Sequence, residues 1–518
     1  VFAASTIQPP PQARAPCEHA RIRAVGDLWA YPTIGWRRIL DPTAASQRHP
    51  TGFPSMRRSA LTAVLLICVL PEASAATSAL PARFEACADI ADFPELAGSQ
   101  CLLTSVPLRH EAPDADAIEL FVRRFPASEP ARRRGEIWLV AGGPGESGAA
   151  FHPLLPTFRR AFPHHDLVMP DHRGTGRSEK LCPAQESSDS PDGIALAAEE
   201  WGPCIGALYA DPARTAAFTI TQAAHDLAVL VSQQRGDGEV LLYGVSYGTQ
   251  LSLRMLQVAP VPLDGLILDG LVPPDTAPHW DLSHRTAVVD EVGRAVLGDA
   301  GSAAYRQLLD TVDPATWRDV VPGGDLRRFM GSLLNFPDLR LRIPQIIERL
   351  AAGDTVPLAT AVADLQAALA GMSRYPQSPP SLPLVMLISA SENNARRGLT
   401  RDTVDTEARG ALFTSPLPGF LVDSPVPLYD RDDAFGGTPA ALPRTLVIHG
   451  TLDPNTPYAG AQAHARALTD AGPLTFSTVE RGAHLLAFTA PGCFTAAALA
   501  FVEDAAIPAT CIEPEAVH

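Results

Sequence analysis

Three residues far apart in this 518-residue chain could together turn a hydroxyl into a nucleophile. Ser246 lies in Gly244-Val-Ser-Tyr-Gly248, Asp453 in Gly450-Thr-Leu-Asp-Pro-Asn-Thr-Pro457, and His484 in Glu480-Arg-Gly-Ala-His484. A serine hydroxyl is a poor nucleophile at neutral pH. It needs a histidine to take its proton and an acid to orient the histidine. The chemistry expected is acyl transfer: Ser246 attacks a carbonyl, His484 moves the proton, and Asp453 holds His484. The oxyanion would be received by backbone N–H groups of Tyr247, next after the serine, and of Gly143 in the turn Gly142-Gly-Pro-Gly-Glu-Ser-Gly148. That turn is not a dinucleotide loop, because Pro144 removes an N–H and no G-x-G-x-x-G is present. It is not a phosphate loop either, because no Lys-Ser/Thr follows. The rival acid is Asp269, and the rival base is His449, which falls inside an expected strand. The plainest alternative is a glycine-rich turn carrying a solvent serine.

These residues need a sheet edge to meet. Val240–Tyr243 is a short apolar run that reads as a buried strand, and Thr249–Val258 has helical character. Strand, tight glycine turn and helix together make a nucleophile elbow, with the serine held in a strained backbone. Leu102–Phe125 predicts two antiparallel strands. Glu136–Ala141, Asp166–Pro170, Asp264–Asp269 and Arg444–His449 predict further ones, and Leu474–Val479 a last one. Thr219 caps an expected helix through Gln234, and Cys493–Asp504 reads as a closing helix. Strands alternating with helices make a mostly parallel α/β sheet. From Pro273 to Leu442 the rhythm changes to helices broken by prolines: Ala287–Leu297, Leu326–Leu334, Ile343–Ala352 and Leu358–Gly371. This stretch reads as a helical lid inserted in the sheet.

The expected organisation is therefore an upstream extension 1–55 outside the mature protein and a signal peptide 56–75. A catalytic core 76–272 follows, then the lid 273–442 and the second part of the core 443–518. The signal peptide rests on Met56-Arg-Arg, the apolar stretch Ala60–Leu70 and the small residues Ala73-Ser-Ala75. It predicts a periplasmic or secreted protein with no stable membrane insertion after cleavage. Beyond it stand Cys87, Cys101, Cys182, Cys204, Cys493 and Cys511, an even set that suits disulfides in an exported chain. Their order suggests the bridges Cys87–Cys101, Cys182–Cys204 and Cys493–Cys511. No C-x-x-C or H-x-x-x-H is present, so no metal and no cofactor is expected. With 46% hydrophobic and 19% charged residues the chain can bury a large core, and a net charge of −16 argues against nucleic acid as a partner.

The chain from Cys87 to Cys511 resembles the proline iminopeptidase and tripeptidyl aminopeptidase group of α/β-hydrolases. The matching marks are Gly142-Gly-Pro-Gly-x-Ser-Gly148, Asp171-x-Arg-Gly-x-Gly-x-Ser178, Thr219 with Asp226-Leu227, Gly244-x-Ser-Tyr-Gly-Thr249, Leu268-Asp-Gly270, Gly450-x-x-Asp-Pro-x-Thr-Pro457 and His484. The chain order serine, acid, histidine is also that of α/β-hydrolases. The pair Cys493 and Cys511 is similar to the carboxy-terminal module of secreted tripeptidyl-type members. The resemblance implies a serine exopeptidase that acts on a peptide or small acyl substrate at a free amino terminus, with acidic lid residues holding the ammonium. Glu392, in Ile388-Ser-Ala-Ser-Glu-Asn393, stands where the group carries such an acid, and Glu146 in the glycine turn is a second candidate. Ala141 stands where iminopeptidases often carry histidine, which argues against strict prolyl specificity. An esterase or amidase on the same fold is the alternative, and a non-catalytic binding protein a more remote one.

Overall fold

The computed structural model describes residues 83–513 except 192 and 423. The expected extension 1–55 and signal peptide 56–75 lie outside the described residues. Ten strands form one sheet in the order β1-β2-β3-β5-β4-β6-β7-β8-β9-β10 among the described residues. They are β1 (Glu85–Ala86), β2 (Gln100–Pro107), β3 (Ala117–Phe125), β4 (Gly135–Val140), β5 (His165–Asp171), β6 (Glu239–Val245), β7 (Gly265–Asp269), β8 (Thr445–Gly450), β9 (Leu474–Glu480) and β10 (Thr510–Ile512). The pairings from β1 to β2, β3 and β5 are antiparallel, and every pairing from β5 onward is parallel. Strands β4, β7 and β8 are buried along their whole length, as strands covered on both faces must be.

Helices cover the faces. Leu155–Ala161 (α1) packs against the helix that closes the chain. Phe158, Phe162 and Phe494 surround Tyr243 of β6 in one aromatic cluster, with ring centroids 5.3–6.4 Å apart. Val240 and Leu242 alternate with Leu241 and Tyr243 and point to the opposite face. Ile220–Gln234 (α2) packs on Tyr247–Val258 (α3), the helix that follows Ser246. The Thr219 side chain accepts from Gln222 N and caps α2, as its sequence predicts.

Between β7 and β8 the described chain contains no strand. Its main helices are α4 (Arg285–Thr311, kinked at Gly298), α5 (Leu326–Leu333), α6 (Ile343–Ala351), α7 (Val356–Met372), α8 (Leu382–Ser391) and α9 (Arg401–Gly410). Helices α4 to α7 share a core of their own around Tyr305, Met330, Leu350 and Phe413. The sequence reading missed α8. Its apolar residues run on without a helical period, and prolines crowd its start. The segment leading into α8 rests on the glycine turn: Ser147 Oγ donates to Gln377 O at 2.7 Å, and Ser381 N to Gly145 O at 3.0 Å.

After β8 come Tyr458–Leu468 (α10) and, after β9, Pro491–Val502 (α11). Leu474–Glu480 is not the last strand. Thr510–Ile512 returns parallel to it, held by the Cys493–Cys511 disulfide. Glu513 then accepts from Gly492 N (2.9 Å) and Cys493 N (2.7 Å) at the start of α11. A carboxylate there satisfies N–H groups that have no partner inside the helix. Cys87–Cys101 and Cys182–Cys204 are the other two disulfides among the described residues, so all three expected local bridges form. Among the described residues no helix is long and apolar enough to cross a membrane.

Candidate active site

Parallel strands deliver their following loops to one edge, and the singled-out residues arrive there in sheet order. The glycine turn follows β4, Ser246 follows β6, Asp269 ends β7, Asp453 follows β8, and His484 follows β9.

Ser246 has φ 54° and ψ −124°, a conformation that costs a non-glycine residue energy. Its surroundings hold it there. Ser246 N donates to Asp269 O at 3.0 Å, while Ser246 O accepts from Thr249 N (2.8 Å) and Thr249 Oγ1 (2.7 Å). The flanking glycines allow a close approach. A Cβ on Gly244 would lie 2.4 Å from Gly248 O, and one on Gly248 would lie 2.3 Å from Val140 O. Ser246 is thereby pressed toward the glycine turn, at the amino end of α3.

His484 Nδ1 is 2.7 Å from Asp453 Oδ2. Asp453 is 1% exposed, and its remaining acceptor capacity is filled. Oδ1 takes Asn455 N (2.7 Å) and Thr456 N (2.9 Å), and Oδ2 also takes Thr456 Oγ1 (2.7 Å). Burial alone would raise the Asp453 carboxyl. The His484 charge and hydrogen bond, with His449 and the Thr456 N–H, outweigh burial and hold it below the ordinary carboxylate range. Burial likewise disfavours a charged His484, but Asp453, and Asp269 at longer range, more than offset it. The imidazole therefore titrates above its usual 6.5. Among the described residues no hydrogen bond joins Ser246 Oγ to His484. The two line one cavity of about 340 Å³, together with Gly142, Gly143, Tyr247 and Glu146.

The rivals fall into other places. Asp269 accepts from Tyr243 OH (2.9 Å), Leu486 N (3.0 Å) and Ala487 N (3.2 Å). Burial raises its carboxyl to about 6 against those bonds. It anchors the turn just after His484 and makes no hydrogen bond to the ring. His449 is fully buried, with Nδ1 at 3.1 Å from Gly450 O and Nε2 at 3.9 Å from Asp453 Oδ2.

Glu392 requires a correction, because it does not line the cavity. It is 3% exposed, with Oε2 at 3.1 Å from Arg254 Nη2 and Oε1 accepting from Tyr429 OH at 2.7 Å. A buried carboxylate needs a counter-charge, and Arg254 on α3 supplies one. Glu392 thus ties the helical segment to α3, and its neighbour Asn393 faces the cavity. Three carboxylates do face it. Asp275 bonds Gln250 Nε2 (2.8 Å) and Arg254 Nη2 (3.1 Å), and Asp281 bonds Ser283, His284 and Ala395 N. Among the described residues Glu146 has no hydrogen bond or ion pair in contact with another side chain. Burial raises its carboxyl, while the His484 charge and the Gly142 N–H pull the other way without cancelling the rise. The position a Gly142 Cβ would occupy is 3.2 Å from both Glu146 Oε2 and Ser246 Cβ, so this carboxylate and the serine are neighbours across Gly142.

Sequence reasoning missed Thr456, which closes the Asp453 cage, and Arg285, which reaches the same loop through Asn455 Oδ1 at 2.9 Å. Threonine three residues after aspartate in Asp453-Pro-Asn-Thr456 is the local signal for the first. The second depends on a contact between residues 170 positions apart. The Asp171-x-Arg173 mark with Asp226 proves to be scaffold. Asp171 takes Gly148 N and Arg177 N, both at 2.8 Å, and Arg173 clamps Asp226 with two bonds of 2.7 Å.

Comparison with known proteins agrees with the fold. Residues 137–301 match the alpha/beta hydrolase fold family, and residues 425–513 match the TAP-like protein family. The chain is similar to serine protease Hip1 of Mycobacterium bovis and of Mycobacterium tuberculosis. Identity is 28% over 197 residues, covering 35% of this chain and 37% of theirs. The match thus spans little more than a third of the length of these curated relatives. Among solved structures, a thermophilic esterase from Thermogutta terrifontis is 17% identical, with a TM-score of 0.31, covering 75% of this chain and 94% of that one.

Proposed function

We propose that this chain, an α/β-hydrolase of the tripeptidyl aminopeptidase group and a serine hydrolase, is an exported aminopeptidase that works through an acyl-enzyme on Ser246. In this reading His484 takes the Ser246 proton as Oγ attacks the scissile carbonyl carbon. Backbone N–H groups of Tyr247 and Gly143 receive the oxyanion. The C–N bond breaks as His484 gives its proton to the leaving amine. A water molecule, deprotonated by His484, then releases the acyl group and restores Ser246. Asp453 keeps the imidazole oriented and stabilises its charged form.

The observation that carries the peptidase reading is Glu146, a cavity carboxylate without a side-chain partner, one glycine away from Ser246. A substrate ammonium would supply its missing counter-charge. In an amino-acyl substrate the α-amine lies two bonds from the carbonyl under attack. Each further residue before the cut would carry the amine outward by roughly 3.5 Å. The position of Glu146 therefore favours release of single residues over tripeptides. The segment 273–442 acts as the lid over this site, between the two parts of the core, 76–272 and 443–518. It supplies apolar walls such as Phe336, Leu369 and Val385. Export is supported by the three disulfides and by the expected leader 56–75; the amino-terminal sequence of the secreted protein, expected near Ala76, tests it.

The test of the activity is a panel of alanine p-nitroanilide, trialanine p-nitroanilide and p-nitrophenyl butyrate. Turnover of both anilides, with the single-residue one faster, is the expected result. Turnover of the ester alone would assign the site to an esterase. A folded protein inert to all three would favour a binding role.

A further inference from the structure

Of the five buried arginines among the described residues, three pair with carboxylates. Arg123 pairs with Asp89, Arg173 with Asp226, and Arg254 with Glu392 and Asp275. Arg285, at the start of α4, has no carboxylate within ion-pair distance among the described residues, although it is only 7% exposed. Its Nη1 donates to Asn455 Oδ1 at 2.9 Å, and its Nε is buried with no partner. Arg340 also lacks a carboxylate, but its Nη2 is spent on Arg481 O and it does not face the cavity. Arg285 does face it. Asp453 and Asp281 lie near enough to act on its charge but are not in contact with it. A desolvated guanidinium with no counter-ion in contact is costly, and a carboxylate presented by a ligand can take two of its N–H groups at once.

The sheet order tells where that ligand group would lie. Glu146 belongs to the loop after β4, Ser246 follows β6, and Asn455, which holds Arg285, belongs to the loop after β8. Ser246 therefore stands between a carboxylate and a guanidinium, each without an ion-pair partner in contact among the described residues. The guanidinium is on the side of Asp453 and His484, where the leaving amine must pick up its proton. Three strand spacings separate β4 from β8, roughly 14 Å in all. Two or three residues at about 3.5 Å each fit within that span.

We propose that Arg285 binds the C-terminal carboxylate of the substrate, so that this enzyme acts preferentially on free dipeptides and tripeptides. The inference rests on the aminopeptidase reading, with Glu146 taking the opposite terminus. Arg285 is then a specificity-determining residue, and a peptide too long to bring its carboxylate into the cavity leaves the guanidinium unpaired.

The experiment compares kcat/KM of the purified protein for Ala-Ala and Ala-Ala-Ala with that for their C-terminal amides. The free acids are expected to be preferred by roughly tenfold to a hundredfold, the size of a charge-assisted hydrogen bond. Arg285→Met should abolish the preference, and Arg285→Lys should keep part of it. The acid-to-amide ratio is internal to each preparation, so a partly damaged variant still reports. If neither variant folds, the wild-type ratio decides. Equal turnover of acid and amide by the wild type overturns the proposal. Preference for Ala-Asp amide over Ala-Asn amide, with none for a free C-terminus, overturns it in favour of an acidic side chain. Cleavage of p-nitrophenyl acetate with no peptide turned over means that the aminopeptidase reading has failed. Propionate and propionamide are then compared as inhibitors of that esterase activity. Selective inhibition by propionate, lost in Arg285→Met, supports a carboxylate site at Arg285, and equal inhibition ends it.

Discussion

His484 is the residue on which the pH behaviour turns. In the proposed mechanism only the neutral imidazole takes the Ser246 proton; against the effect of burial, Asp453 and Asp269 raise its pKa above the usual 6.5. Activity should therefore fall on the acid side with a midpoint above 6.5, read from kcat/KM against pH. Asp453→Asn removes the group that most favours the charged imidazole. It should move that midpoint down and lower kcat by roughly 10⁴-fold. Ser246→Ala should lose on the order of 10⁴–10⁶ in kcat, and an unchanged rate would remove Ser246 from the chemistry. The placement of these three residues at strand exits was legible in the sequence, because each sits beside glycines or prolines. Glu392 was misplaced because its fate depends on Arg254 and Tyr429, and nothing local to Ile388–Asn393 announces either partner.

Among the elements, the tight turns after β6 and β7 hold the site most narrowly. Gly270 has φ +62°, and a Cβ there would lie 3.1 Å from His484 Cε1 and 3.2 Å from Nδ1. Gly270→Ala should keep the fold and displace the imidazole. We expect kcat to fall by about 10²-fold, as for a misplacement near 1 Å, with near-native circular dichroism. Native kcat in that variant would mean that the β7 turn does not position His484. The strands that carry the site were legible as apolar runs, since both their faces are covered. The three-residue β10 was not, because it is too short to show a period and is placed by Cys511 and Glu513. Helix α8 was hidden for the opposite reason: its residues are apolar all round, a pattern that a strand or a buried helix fits equally well.

Across the whole molecule, stability and specificity are set apart. The Cys493–Cys511 bridge, with a sequence separation of 18, ties β10 to α11 on the outer edge of the sheet. Replacing both cysteines by serine should cost about 3 kcal/mol in denaturant unfolding and leave kcat/KM nearly unchanged. A large loss of activity at full folding would place this edge in the site. In the proposed reading specificity lies where the helical segment meets the strand edge, and this was the least legible part of the chain. Its contacts join residues more than a hundred positions apart, as in Arg285 with Asn455 and Gln250 with Asn393. The most direct measurement is kcat/KM for alanine p-nitroanilide against its N-acetyl derivative, in the wild type and in Glu146→Gln. A free ammonium bound by Glu146 predicts that the wild type prefers the free amine by roughly tenfold or more, and that Glu146→Gln loses this preference mainly through KM. Equal rates on the free and acetylated substrates in the wild type would contradict it.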